Sequence, residues 1–590
     1  MNNTKINKFT KLNQEIDFVK NNIVKIGRST FPITTSEKTT FNLGQLVPLH
    51  WNEVIPGDTF EFDFSSLIRL NSPLIRPVMD DVRFDVFAFF VPFRLVWDNW
   101  ESFIGNYQKN PDWFSNVNLT VPTIEIPTGG FALGSVADHL GIAPGRGDGV
   151  QVSHLPFRTY GLIWDEWFRD ENLQNSIVVN TSNDNVVGVK QNEWSENASY
   201  LTNAILGGPL CPANKIHDLF TSALPAPQKG QAPVINIGGT APVITAATNI
   251  GDSLPENYTN PLYWGDLTSN QVGQSSGIVG IDLGSSINSR QTVSVGVSGA
   301  TYSTNRLVPA NLVADLSTAT GITINDLRYF FQSQMILEAD ARYGSRYTEI
   351  LRGHYGVISS DARLQRPEFL GSKTWILDIN QTVQTSSTDT DSPQSNLSGY
   401  SQTFNRTHLF TKSFTEHGYI MILGAARINR HSYSEGVNKL FNHSSRFDFY
   451  FPELAHIGEQ PIKNKEIWLQ NKSVVSAGIE VNEQVFGYQE AFYEYRYRPN
   501  TVSGLLRPDA ESNIAVWTYV DDYDTLPTLS GSWVEEDYKL LDRALVVQAS
   551  ELTPQFLVDF TFTNKATRPL PLHSTPGLID HSGNLNIWAW

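Results

Sequence analysis

A mainly β fold is the architecture this sequence predicts: a sandwich or roll of antiparallel strands carrying long insertions and a few helices. Short runs alternate apolar and polar residues with the period of two that a half-buried strand imposes. Such runs recur through all 590 residues with few helical stretches between them, as sandwiches and rolls require. Hydrophobic residues make up 40% of the chain and aromatics 12%, enough to build a sizeable core and to exclude disorder.

Residues 1–45 read as a polar arm. Up to Thr30 it holds Lys5, Lys8, Lys11, Lys20, Lys25 and Arg28 against only Glu15 and Asp17. That basic balance fits either a solubilising terminus or a contact to nucleic acid. It runs against the chain as a whole, whose net charge of −17 is not built to embrace phosphate. The first 14 residues lack the apolar core of a signal peptide, and no run of about 18 apolar residues suggests membrane insertion. The single cysteine, Cys211, cannot form an internal disulfide, which fits folding in a reducing cytoplasm.

Residues 46–174 carry the first strands. Phe60, Phe62 and Phe64 alternate within 58–69, and residues 82–91 are almost wholly apolar up to Pro92, which ends the strand. Leu95, Val96, Trp100, Phe103 and Ile104 suggest a short helix over 95–104. A second helix follows Pro156, with Tyr160, Ile163, Trp164, Trp167 and Phe168 as its apolar stripe. Over 175–320 charges become scarce and Gly, Ser, Thr and Asn dominate, so this stretch reads as a surface insertion. The remainder, 321–590, opens with the longest helix signal, 325–350, entered by Thr323 and Asn325. It continues through strand-like patches at 374–379, 419–428, 447–451, 515–520 and 556–562, and ends in a C-terminal extension.

Chemistry-bearing motifs are scarce. HExxH, Walker A and GxSxG patterns are absent from the sequence, so no catalytic residue is assigned. His573, Asp580 and His581 read as surface side chains and not as metal ligands, and Arg146-Gly147-Asp148 as part of a glycine-rich turn. Trp97, Trp100 and Trp113 fit core or subunit packing better than base stacking. Two tryptophans at the chain end, Trp588 and Trp590, suggest docking on the same subunit or a neighbour.

Several stretches together resemble the major capsid proteins of gokushovirus-type Microviridae, small icosahedral single-stranded DNA bacteriophages. They are Leu74–Asp80, Phe89–Trp100, Asp170–Asn175, Tyr488-Gln489-Glu490 and Glu494-Tyr495-Arg496-Tyr497-Arg498-Pro499. The resemblance covers most of the chain and thins between about 180 and 320. It implies a single eight-stranded antiparallel viral jelly roll in each of about sixty copies, assembled through pentamers into a T=1 shell. It also implies a circular single-stranded DNA genome inside, a protrusion near the three-fold axis that meets a host cell-surface receptor, and no cofactor. A virion built on this plan forms in the bacterial cytoplasm. About sixty subunits at −17 give a shell near −1,000, so a small basic DNA-packaging protein or other cations must neutralise the genome, and a minor pilot protein is a further expected partner. The competing reading is a carbohydrate-binding or carbohydrate-cleaving spike or adhesin, against which stand the missing short repeat and the missing signal peptide.

Overall fold

The structure is a computed structural model. It describes residues 27–104, 119–190, 199–231, 243–245, 264–266, 307–309, 312–314, 324–343, 347–356, 365–386, 388, 394–472, 474–476, 478–548 and 553–572. Two compact units divide it, one made of residues 1–227 and 340–590, the other of Gln228–Ala339. The second unit starts later than the insertion read from composition, because residues 175–227 fold with the first.

In the first unit nine strands form two sheets: β1 Ser29–Phe41, β2 Val47–Val54, β3 Thr59–Leu70, β4 Val82–Pro92, β5 Glu368–Ile376, β6 Ile379–Val383, β7 Leu397–Ser413, β8 Gly418–Ile428 and β9 Phe556–Arg568. One sheet has the order β1-β9-β3-β7-β6 and the other β5-β4-β8-β2, and every neighbouring pair is antiparallel. The alternation in β3 works as its spacing predicts: Phe60, Phe62, Phe64 and Ile68 are buried while Glu61, Asp63 and Ser65 lie on the other face. Rings from the two sheets meet between them, Phe84 with Phe41 at 5.8 Å and with Phe560 at 5.9 Å, and Phe64 with Trp375 at 5.4 Å. Such tilted and edge contacts suit the ring quadrupoles.

β4 is apolar on both faces because helix α1, Leu155–Trp167, and the residue after it cover its outer side. Phe87 packs on Phe168 at 5.1 Å and Phe89 on Trp167 at 5.5 Å. Pro156 at the first turn pre-sets the backbone where no amide donor is needed. The buried Tyr160 hydroxyl donates to the Leu46 carbonyl at 2.7 Å and accepts the Cys211 amide at 2.8 Å, so α1 pins the chain on either side of β2.

Gly44, just before β2, has φ +78 and lies against the backbone of the late chain; an added Cβ would stand 2.4 Å from the Glu536 carbonyl oxygen. Both the left-handed conformation and this approach exclude a side chain. Gly44→Ala is expected to lower stability by about 2 kcal/mol, measured by denaturant unfolding of the dissociated subunit.

Several expectations need correction. Ser29–Phe41, read as part of the arm, is an edge strand in unbroken register with β9, from Ser29↔Arg568 to Phe41↔Phe556. Residues 447–451 and 515–520 are not strands: single 3₁₀ turns occupy Arg446–Asp448 and Ala515–Trp517. At the first of these, the Asp448 carboxylate accepts the amides of Ser444 at 2.8 Å and Ser445 at 2.7 Å, which closes a turn where aromatic alternation suggested extension. The helix expected over 95–104 is two single turns, Phe93–Val96 and Trp100–Phe103, split by extended Trp97. That expected over 325–350 is α2 Ile324–Tyr343 and α3 Tyr347–Tyr355, with Gly344 between them.

Within Gln228–Ala339, short strands pair antiparallel, Leu307–Pro309 with Trp264–Asp266 and Leu312–Ala314 with Val243–Thr245. α2 is tied to the start of this unit by the Lys229 amide, 3.1 Å from the Leu337 carbonyl.

Candidate assembly and cargo surfaces

The crossover from β8 to β9, residues 429–555, carries most of the exposed aromatic surface of the first unit. It builds its own small core from Tyr433, Ile462, Phe486, Tyr493 and Trp533, against Leu219 and Phe220. Tyr433 packs edge-on to Phe220 at 4.8 Å and donates its hydroxyl to Asp218 at 2.6 Å.

A buried charged clasp lies where this crossover leaves the sheet. His431, almost wholly buried, sits 3.0 Å from Asp521 through Nδ1 and 3.1 Å from Glu536 through Nε2. Lys215 Nζ is 3.4 Å from the other Asp521 oxygen and 4.9 Å above the Trp533 ring, and the Tyr523 hydroxyl donates to the same carboxylate at 3.2 Å. Glu536 also accepts the Ile428 amide, the last residue of β8, at 3.3 Å. Burial alone drives an imidazole toward neutrality, but the carboxylates of Glu536 and Asp521 overcome it and lift His431 to about 10. Burial likewise opposes ionisation of Asp521, yet Lys215 and His431 hold it below the usual carboxylate range. His431 is therefore an imidazolium donating from both nitrogens, and it ties two late segments to the end of β8.

Above the clasp the surface is acidic on one side. Carboxylate oxygens of Glu435, Asp509 and Asp522 lie within 4.8 Å of one another, and burial together with Asp509 pushes Glu435 up to about 7. On another side, exposed rings project from short turns: Phe441 and Phe447 are 83% and 72% exposed, with Phe449, Tyr450, Tyr495 and Tyr497 each near half. None of these was singled out in the sequence, where Phe447–Phe451 read as a strand with an inner face. A groove of about 800 Å³ opens beside β1 and β2, walled by ion-paired groups, Lys38 with Asp559 at 3.2 Å and His50 with Glu37.

Of the residues proposed for nucleic acid, Arg28 is exposed at the entry to β1, while Lys5, Lys8, Lys11, Lys20 and Lys25 lie outside the described residues. So do Trp113, His573, Asp580, His581, Trp588 and Trp590. Trp97 is fully buried and donates its indole N–H to Asn183, and Trp100 packs edge-on against Phe93 at 4.6 Å; both serve packing. The turn at 145–149 is held by Asp148, which accepts the Gly129 amide at 2.9 Å.

Two comparisons decide what these surfaces belong to. A family model described as capsid protein (F protein) matches residues 20–578. Capsid protein VP1 of Spiroplasma virus 4 is 40% identical over 576 residues, 97% of this chain and 99% of that protein. The chain belongs to the F capsid protein family. Capsid protein VP1 of Chlamydia phage 1 is 37% identical over 583 residues, covering 94% of this chain and 96% of that protein. VP1 of Bdellovibrio phage phiMH2K is 38% identical over 551 residues, covering 93% and 95%. The resemblance read from five short stretches thus extends over nearly the whole length. As a capsid protein, the chain is a structural component of the virion that assembles with copies of itself, and its exposed surfaces are to be read as contact surfaces. Among the described residues no helix is long and apolar enough to cross a membrane.

Proposed function

We propose that about sixty copies of this capsid protein close a T=1 shell around a circular single-stranded DNA genome, each copy contributing one eight-stranded jelly roll. The observation that carries this reading is the strand order. With β6 set aside as a hairpin partner of β7, four strands β1-β9-β3-β7 face four strands β5-β4-β8-β2, all antiparallel. First and last strands are neighbours, as two successive Greek keys demand. The crossovers β4 to β5 and β8 to β9 hold the long insertions, so elaboration falls outside the paired strands.

In this reading the unit Gln228–Ala339, which belongs to the first of those crossovers, faces outward and meets the host cell-surface receptor. The basic arm faces inward, a small basic DNA-packaging protein supplies the remaining positive charge, and a minor pilot protein accompanies the genome. Trp588 and Trp590 dock on the same subunit or a neighbour. Electron microscopy of the purified protein tests the shell: closed particles of uniform size support it, and rods or monomers overturn it.

Deleting residues 1–28 tests the arm. Six basic side chains lost from single-stranded DNA contact should flatten the log–log salt dependence of binding by about four. Particles of normal size should then carry less DNA, read from their absorbance ratio. Full DNA content after the deletion overturns the assignment.

A further inference from the structure

The exposed ring surface of the β8–β9 crossover is more ordered than a solvent-facing loop needs to be. The Asn438 side chain accepts the Leu440 amide at 3.0 Å at the head of one turn, and Asp448 closes the next. Lys439 turns inward, donating to the Pro461 carbonyl at 2.9 Å and lying 4.6 Å over the Tyr493 ring. The rings also support one another: Tyr450 is 6.3 Å from Tyr495 and 5.3 Å from Phe492, and His443 is 4.9 Å from Phe449. Apolar groups held in place before contact lose little freedom on binding, which is how a recognition surface is prepared.

Composition points to a protein partner. From Leu440 to Gly458 the chain has no lysine, and the exposed cations beside the rings are Arg446, Arg496 and Arg498. Aromatic residues with arginine, and lysine depleted, mark the centres of protein interfaces. A nucleic acid fits less well. Backbone amides of Ser445 and Ser444 hold Asp448 down to about 2, so a permanent negative charge stands among the rings, and Glu453 adds another nearby in the chain. A copy of this chain supplies the matching charge. Its net charge is −17, and its Glu435, Asp509 and Asp522 crowd together with Arg543 no nearer than 3.9 Å to Asp522.

We infer that the surface carried by Phe441, Phe447, Phe449, Tyr450, Tyr495 and Arg498 is a subunit contact, covered in the shell by an acidic face of a second copy. This rests on the shell reading above and names the surface that reading leaves open.

The chain's own Cys211 is buried, so Phe447→Cys introduces one accessible thiol into the full-length protein. Maleimide labelling is then compared between dissociated subunits and closed shells prepared without DNA. Labelling at least tenfold slower in empty shells is the expected result. Equal rates overturn the inference, and protection seen only in DNA-filled particles overturns it in favour of nucleic acid. A second variant, Tyr495→Ser with Arg498→Glu, should keep the circular dichroism of the folded subunit yet sediment without forming shells; parental shell yield counts against the surface. Micrographs of the parent chain distinguish the two levels: if it forms no shells, the shell reading itself fails, whereas free labelling in shells that do form overturns only this contact.

Discussion

Replacing His431 by alanine should lower the unfolding free energy of the subunit by about 3–5 kcal/mol, the usual consequence of removing one member of a buried ionic cluster. The substitution leaves Glu536 with the Ile428 amide as its remaining contact in the clasp, and Asp521 with Lys215 and Tyr523 alone. Two buried carboxylates then repel each other across the vacated space. Denaturant unfolding of dissociated subunits measures the loss. A change within about 0.5 kcal/mol would place His431 among ordinary surface residues and refute the clasp.

The same group sets a pH dependence. His431 is lifted from an ordinary 6.5 to about 10 in the folded chain, so its stabilisation is fully present below pH 6.5 and is lost as pH rises toward 10. Asp521 acts in the opposite direction: held below its ordinary 3.8, it stabilises above that value and loses its contribution as pH falls through its lowered folded value. The alkaline loss should vanish in the His431→Ala subunit while the rest of the profile persists, which titration of unfolding midpoints in both proteins checks.

Phe62→Ala should cost about 3–5 kcal/mol by a different mechanism, since a truncated buried phenylalanine leaves both lost transfer energy and a cavity. Phe62 is fully buried, and its ring meets Phe410 at 5.3 Å, His50 at 5.7 Å and Phe562 at 6.0 Å. These neighbours come from β7, β2 and β9, so they cannot all move into the gap without disturbing both sheets. Thermal unfolding should show a lowered midpoint, and Phe62→Leu should recover most of it because less volume is lost.

The strands easiest to read were those whose burial is written in their own residues. β3 alternates, β4 and β8 are covered on both faces and read as continuous apolar runs, and the aromatic positions of β9 mark its inner side. β1 was missed because Ser29–Phe41 offers mostly Thr, Ser, Glu and Lys. It is a strand through thirteen paired positions with β9, more than five hundred residues away, and pairing of that range leaves no local period. Phe447–Phe451 failed in the opposite sense: its alternation is real, but no strand lies beside it, and Asp448 satisfies the backbone locally. The clasp was invisible for a related reason. Its histidine stands 90 residues from Asp521, and that aspartate 306 from Lys215, spacings that match no motif.

Periodicity, composition and short motifs sufficed for the β class, the acidic charge with its basic arm, and the kinship to capsid proteins, because each is a property of neighbouring residues. Strand order, the identity of the edge strand, the buried charge of His431 and the outward placement of Phe441 and Phe447 needed the folded chain. Those depend on which distant segments meet, and solvation of a side chain is decided by that meeting and not by its own chemistry.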